Sequence, residues 1–202
     1  RGELHRARDD RALILKLPST NLNRMNIRSL FLLLGISGTV AFSQGTWTTK
    51  TPFGISGSAS AEAIAFSIGH KGYIGLGTDY NATLFNDLWE YDPVTNAWAQ
   101  KANFGGAARR LAVAFTAGGK AYVGTGIVSG NSFTKDFWEY NPVANVWTQR
   151  SSIGGVGRNS ATTFTIGTFG YVCTGQGSGG SLQDVWRYSP TLDQWTQRAS
   201  FT

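Results

Sequence analysis

The sequence predicts an all-β fold built from repeated four-stranded units, on three observations. The first is composition: 26 glycines, 7 tryptophans, 7 tyrosines and 12 phenylalanines in 202 residues, with only 15% charged. That load of glycine and aromatics excludes a disordered chain, a coiled coil and a long-helix protein. The second is internal repetition. Tyr73-Ile-Gly-Leu-Gly77 recurs as Tyr122-Val-Gly-Thr-Gly126 and Tyr171-Val-Cys-Thr-Gly175, at spacings of 49 and 49. Asp87-Leu-Trp-Glu-Tyr-Asp-Pro93 recurs as Asp136-Phe-Trp-Glu-Tyr-Asn-Pro142 and Asp184-Val-Trp-Arg-Tyr-Ser-Pro190, at 49 and 48. The third is that each period reads as short apolar runs separated by turn residues.

In the middle period those runs are Leu111–Thr116, Ala121–Gly126, Phe137–Tyr140 and Val146–Arg150. Gly118-Gly119 makes the first turn. Asn141-Pro142 opens the last, where a proline that cannot donate to a ladder belongs. Four antiparallel strands in a period of this length is the arithmetic of a β-propeller blade. Three blades are visible, over Ala61–Ala99, Leu111–Arg150 and Ser160–Arg198. Thr46–Lys50 matches the fourth strand of a period and predicts an orphan outer strand, residues 46–50. Propellers close with about four to eight blades. The sequence is therefore expected to be a piece of a longer propeller, with self-assembly of two chains into one ring as the competing expectation.

The charge is unevenly placed. Residues 1–43 hold seven basic residues (Arg1, Arg6, Arg8, Arg11, Lys16, Arg24, Arg28) against three acids, leaving 11 basic and 9 acidic residues in 44–202. No basic run survives there, so no nucleic-acid partner is expected. Met25-Asn26-Ile27-Arg28, the apolar stretch Leu30 to Val40 and the small residues before Gln44 read as a secretory signal over 25–43. About 14 uncharged residues fall short of the ~20 that span a bilayer, so no transmembrane span is expected in the mature chain. Residues 1–24 are expected to be a non-native upstream extension without structure, and the mature protein to be secreted, periplasmic or at a bacterial cell surface. A single cysteine excludes a disulfide framework.

The repeated motifs resemble the kelch repeat: the Gly-rich turn, Tyr-apolar-Gly-x-Gly, Asp-x-Trp-x-Tyr-x-Pro and a final tryptophan, over Thr46 to Thr202. One departure is Gly-Leu-Gly, Gly-Thr-Gly and Cys-Thr-Gly in place of a Gly-Gly doublet, a spelling that resembles secreted bacterial kelch proteins of the galactose-oxidase-like propeller type. The resemblance implies a propeller whose loop face binds a protein or glycan without catalysis. It also allows a carbohydrate-active enzyme, sialic-acid-mutarotase-like or galactose-oxidase-like, with catalytic residues partly in blades outside this sequence. The oxidase chemistry needs histidine ligands, and the sequence has only His5 and His70. No cofactor and no metal are expected.

Residues that occur in every period are expected to be scaffold, and those that break the pattern are candidates for function. Trp89, Trp138 and Trp186, with Trp47, Trp98, Trp147 and Trp195, read as packing between blades. Burying one aromatic removes ~150–250 Å², a gross ~4–6 kcal/mol. Asp87, Asp136 and Asp184 each enter a third strand, where a carboxylate can accept loop N–H bonds. Cys173 stands where Gly75 and Gly124 do, as a small filler. Arg109 and Arg158, 49 apart, end Gly-rich loops before the innermost strand, with Ser60 in the first blade's equivalent place. By the resemblance such arginines ring a channel mouth and meet anionic ligands. Alternatively each pins a neighbouring blade's loop carbonyls. Glu62 replaces Leu111 and Ser160, expected on the innermost strand, and Asp79 and Tyr80 lie in the variable loop Thr78–Asn86 of the same face. Arg187 replaces Glu90 and Glu139. Asp79 to Thr83 has faint calcium-loop spacing without the bidentate glutamate that site needs.

Overall fold

The computed structural model describes residues 46–52 and 60–201. The signal expected at 25–43 and the extension at 1–24 lie outside the described residues. The chain divides into two compact units, Arg1–Trp47 and Thr48–Thr202. Only residues 46 and 47 of the first unit are described, and among the described residues the strands lie in the second.

Three four-stranded antiparallel sheets follow one another along the chain, as the repeat predicts. The first blade is β1 (Ile64–Ile68), β2 (Lys71–Gly75), β3 (Leu88–Asp92) and β4 (Ala97–Gln100). The second is β5 (Val113–Ala117), β6 (Lys120–Gly124), β9 (Phe137–Asn141) and β10 (Val146–Arg150). Between β6 and β9 a loop hairpin, β7 (Ile127–Val128) and β8 (Ser132–Phe133), closes over the one-turn 3₁₀ segment Ser129–Asn131. The third blade follows a short strand β11 (Arg158–Asn159), and comprises β12 (Thr162–Ile166), β13 (Phe169–Cys173), β16 (Val185–Ser189) and β17 (Gln194–Arg198). Its loop hairpin is β14 (Gln176–Gly177) with β15 (Gly180–Ser181). The innermost strands β1, β5 and β12 meet across the blades. Thr163 and Thr165 of β12 donate their hydroxyls to the carbonyls of Ala114 and Thr116 in the β5 blade, at 2.7 and 2.8 Å.

β5 begins later and β6 ends earlier than the apolar runs suggest, because left-handed residues bound them there. Glu62, Leu111 and Ser160 have φ of 56°, 53° and 51°, and Leu76, Thr125 and Thr174 have 58°, 59° and 62°. A residue at positive φ cannot continue a strand, so Leu111 and Thr125-Gly126 fall outside the ladders. Glu62 is corrected with them: it precedes β1 and is not on the innermost strand. The N–H of Leu111 donates to the carbonyl of Glu62 and that of Ser160 to Leu111, at 3.0 and 3.2 Å, so these residues link the blades by backbone bonds.

Large aromatics fill the wedges between blades. Phe115 stacks on Tyr122 within β5–β6 at 5.2 Å, and Tyr188 and Trp195 of the third blade close over that pair. Gly170 is where Phe115 lands: a Cβ there would sit 2.0 Å from the ring. Cys173 is buried, and burial raises its thiol pKa. It pairs with Val185, where Gly124 pairs with the larger Phe137, so the filler expected from the sequence trades volume across one rung.

A clasp that the sequence did not reveal repeats at each blade. The turn residues Asn96, Asn145 and Asp193, all at positive φ, accept the hydroxyl of Tyr91, Tyr140 or Tyr188. The same oxygens accept the backbone N–H of Thr51, Ala102 or Ser151 in the preceding linker. The carbonyls of those linker residues accept the indole N–H of Trp98, Trp147 and Trp195 at 2.8–3.0 Å. These tryptophans thus both pack and donate. Residues 46–50, expected to be an outer strand, enter no ladder among the described residues, and Trp47 is fully exposed. An outer strand needs a third strand to pair with, and none is present for it among the described residues.

On the face opposite the loops, Glu90 accepts from Lys71 at 2.8 Å and from Tyr73 at 2.6 Å. Glu139 accepts likewise from Lys120, Tyr122 and Arg150. Arg187 takes that position in the third blade and lies over the Phe169 ring at 4.5 Å.

Removing the Asn145 side chain leaves the Tyr140 hydroxyl and the Ala102 N–H without their acceptor and places alanine at positive φ. Asn145→Ala is expected to cost about 2–4 kcal/mol in urea unfolding. Asn145→Asp, which reproduces the third blade, is expected to stay within about 1 kcal/mol of the parent.

Candidate functional site

Arg109 and Arg158 are buried rather than presented on the loop face, which corrects the expectation that they ring a channel mouth. They are 1% and 0% exposed. Arg109 lays its fork on Asp136 at 2.7 and 2.8 Å, and Arg158 lays its fork on Asp184 at 2.6 and 2.7 Å. Each also donates to the carbonyl of a left-handed residue, Thr125 or Thr174, at 3.0 and 3.1 Å. Each arginine thus pins a carbonyl of its own blade and not, as the alternative expected, of a neighbouring one. Two parallel charge-assisted bonds per pair leave little of the fork for anything else. In the first blade Ser60 donates to the matching carbonyl, Leu76, at 3.1 Å, but its short side chain makes no bond to Asp87.

The three repeated aspartates serve the side chains beside them. Asp87, Asp136 and Asp184 accept the indole N–H of Trp89, Trp138 and Trp186 at 2.6–2.8 Å, rather than the loop N–H groups expected. The Gly-rich linkers lie on those rings: a Cβ at Gly105 would come within 2.6 Å of Trp138, and at Gly154 within 2.1 Å of Trp186. Fork, aspartate and indole thus form one unit that holds the linker down.

Three pattern-breaking residues do come together. Glu62, Asp79 and Tyr80 line a cleft of about 560 Å³ on the loop face between the first and second blades. Its floor is Ala61, Glu62 and Arg110, and its walls are the loop around Asp79–Leu84 and the segment Val128–Asn131. Arg110 N–H and carbonyl pair with Ile127 at 3.0 and 2.9 Å, as Ala61 pairs with Thr78 at 2.8 and 2.9 Å. These short ladders fix both walls to the floor. Glu62 and Arg110 form an ion pair at 2.7 Å across the blade boundary, each about a third exposed. Asp79 Oδ1 accepts the N–H groups of Asn81 and Thr83 at 2.9 and 2.7 Å, which shapes the loop. The Tyr80 ring is fully exposed. Two carboxylates and one guanidinium line the cleft, a balance that favours a neutral or cationic ligand over an anion.

Sequence reasoning misses Arg110. Its neighbour Arg109 has the repeating partner, and consecutive extended residues point to opposite sides, so one arginine is buried and the next is presented. The signal was in the repeat: Ala61, Arg110 and Asn159 differ at an otherwise regular position. Among the described residues no three His, Cys, Asp or Glu side chains gather to hold a metal ion, and no helix is long and apolar enough to cross a membrane.

The blades and their loop face define a β-propeller-type fold. No family model matches the chain, and no curated protein matches it. Among solved structures it is similar to YjhT, a kelch-type propeller protein, with a TM-score of 0.68 and 20% identity over 78% of this chain and 56% of that one. The chain thus spans little more than half of that neighbour's length, and the likeness carries the fold alone.

The Asp184 carboxyl is held below its ordinary pKa, chiefly by the Arg158 fork, against the opposing effect of burial. A folded-state pKa below the unfolded value of ~3.9 gives stability that is present above that pH and lost as pH falls through the folded value. Asp184→Asn is expected to cost about 3–5 kcal/mol at pH 7, because Arg158 stays buried without its charge partner, and to flatten the loss of stability below about pH 4. Urea midpoints from pH 2.5 to 7 check both.

Proposed function

We propose that this chain is part of a secreted kelch-type propeller that binds a glycan in the cleft between its first two blades. The observation that carries the reading is the convergence of Glu62, Asp79, Tyr80 and Arg110 in one open cleft on the loop face. Sugars need such a floor: paired hydrogen-bonding groups for vicinal hydroxyls, and an exposed ring on which a pyranose C–H face can stack. Glu62 and Arg110 supply acceptor and donor side by side, and Tyr80 supplies the ring. The charge balance points to a neutral or amine-bearing saccharide. It disfavours an acidic peptide or acidic sugar, because the arginines that would have read one are spent on Asp136 and Asp184. Secretion is supported by the signal-like segment 25–43, and kelch membership by the repeated motifs together with the fold.

Calorimetric or NMR titration against neutral, amine-bearing and acidic oligosaccharides tests this. Tyr80→Ala and Glu62→Gln are each expected to weaken the best neutral or amine-bearing ligand about tenfold, roughly 1.4 kcal/mol, with thermal midpoints unchanged. A preference for acidic glycans, or equal affinity in both variants, would contradict the reading.

A further inference from the structure

One loop carries a motif that neither the blade scaffold nor the cleft uses. In Asp79-Tyr80-Asn81-Ala82-Thr83 an asparagine is followed two residues on by threonine, with no proline between them. That is the acceptor pattern for an N-linked glycan. No other asparagine of the sequence has serine or threonine at that spacing. The corresponding loops of the second and third blades, 127–135 and 176–183, lack it. A set of residues found in one blade alone is not demanded by the packing between blades.

The structure leaves both chemical groups of the motif reachable. Tyr80, Asn81, Ala82 and Thr83 are all exposed at the tip of the loop. Backbone bonds close the tip beneath them. The Asp79 N–H donates to the Thr83 carbonyl and the Ala82 N–H to the Asp79 carbonyl, each at 3.2 Å. Asp79 Oδ1 takes the N–H groups of Asn81 and Thr83. Among the described residues neither the Asn81 carboxamide nor the Thr83 hydroxyl has a hydrogen-bond partner. Asparagines that serve the scaffold do otherwise. Asn141 accepts the N–H groups of Val143 and Ala144, and Asn96 and Asn145 hold tyrosine hydroxyls. Asp79, Tyr80 and Ala82 line the cleft but Asn81 does not, so a sugar on Asn81 stands beside the cleft wall and leaves the cleft open.

We propose that Asn81 is the acceptor of an N-linked glycan. Asn81 Nδ2 forms a bond to the anomeric carbon of a polyprenyl-diphosphate-linked oligosaccharide. The bond from that carbon to the diphosphate oxygen breaks, and the lipid diphosphate leaves with the electron pair. One amide proton passes to a base of the transferase, which holds the acceptor by the Thr83 hydroxyl. The bacterial form of the motif adds an acid two residues before the asparagine. Asp79 stands there, its Oδ2 accepting no hydrogen bond among the described residues. The proposal rests on the secretion put forward above, since this modification belongs to exported surface loops.

The purified full chain, incubated with a bacterial oligosaccharyltransferase and a polyprenyl-diphosphate-linked oligosaccharide, is expected to gain one glycan per chain. Mass spectrometry of tryptic peptide 72–101 is expected to place it on Asn81. Thr83→Ser is expected to keep the modification. Asn81→Gln and Thr83→Ala are expected to lose it with thermal midpoints unchanged, since neither side chain has a partner to lose. Peptide 72–101 of the protein exported by its own cells is expected to carry a saccharide at the same residue. An unmodified peptide in either preparation, or a glycan that survives Asn81→Gln, would overturn the proposal. The transfer assay needs neither export nor a ligand in the cleft, so its failure is distinct from a failure of saccharide binding. Retention of the chain inside the cell would contradict secretion, and the proposal with it, and is read separately from either peptide.

Discussion

A single blade of this protein has two apolar faces and can cover neither. That constraint organises the molecule, because a four-stranded sheet that buries a Phe-on-Tyr stack on one side and a Tyr–Trp pair on the other is stable only between neighbours. The bonds that matter most therefore run between blades. Leu111 to Glu62 and Ser160 to Leu111 join them near the axis. The asparagine or aspartate clasp with its tryptophan joins each blade to the linker before it. Between these two layers lies the wedge of aromatic rings.

Arginine is used twice for different ends at adjacent positions. Arg109 carries a charge into the interior, where its cost of desolvation is met by the Asp136 fork and the Thr125 carbonyl. Arg110 stays at the surface and meets a glutamate from the preceding blade. The first arginine and its equivalent Arg158 fix the linkers; the second has no repeat and belongs to the cleft. Because the floor of the cleft is made from left-handed and bridge residues that also link the blades, the scaffold places Glu62 and Arg110 without any loop having to close.

Much of this was legible in the sequence, for a physical reason. Packing between identical neighbours demands the same aromatics at the same spacing, so Trp138 and Trp186 betray the fold by repeating. Glu62, Asp79 and Tyr80 were legible by the converse argument, since a site needs residues that the scaffold does not. Three things were not legible. A period-2 chain hides which of two adjacent arginines is buried, so Arg109 draws attention away from Arg110. The indole N–H of Trp147 finds a linker carbonyl 45 residues away, a distance no local pattern records. Thr46–Lys50 has the sequence of an outer strand, but strand formation depends on a partner ladder that sequence similarity cannot supply.

Backbone bonds and rings shared between blades hold each one by its neighbours, so the blades are expected not to open singly. Native-state hydrogen exchange tests it most directly, on the amides of Leu111, Gly126 and Ser160, whose acceptors lie in a neighbouring repeat, beside the interior strand amide of Val123. The inter-blade amides are predicted to exchange with the same free energy as Val123, through global unfolding. Exchange of the inter-blade amides at a much lower free energy, with Val123 still protected, would show that the blades open one by one and would contradict mutual support between them.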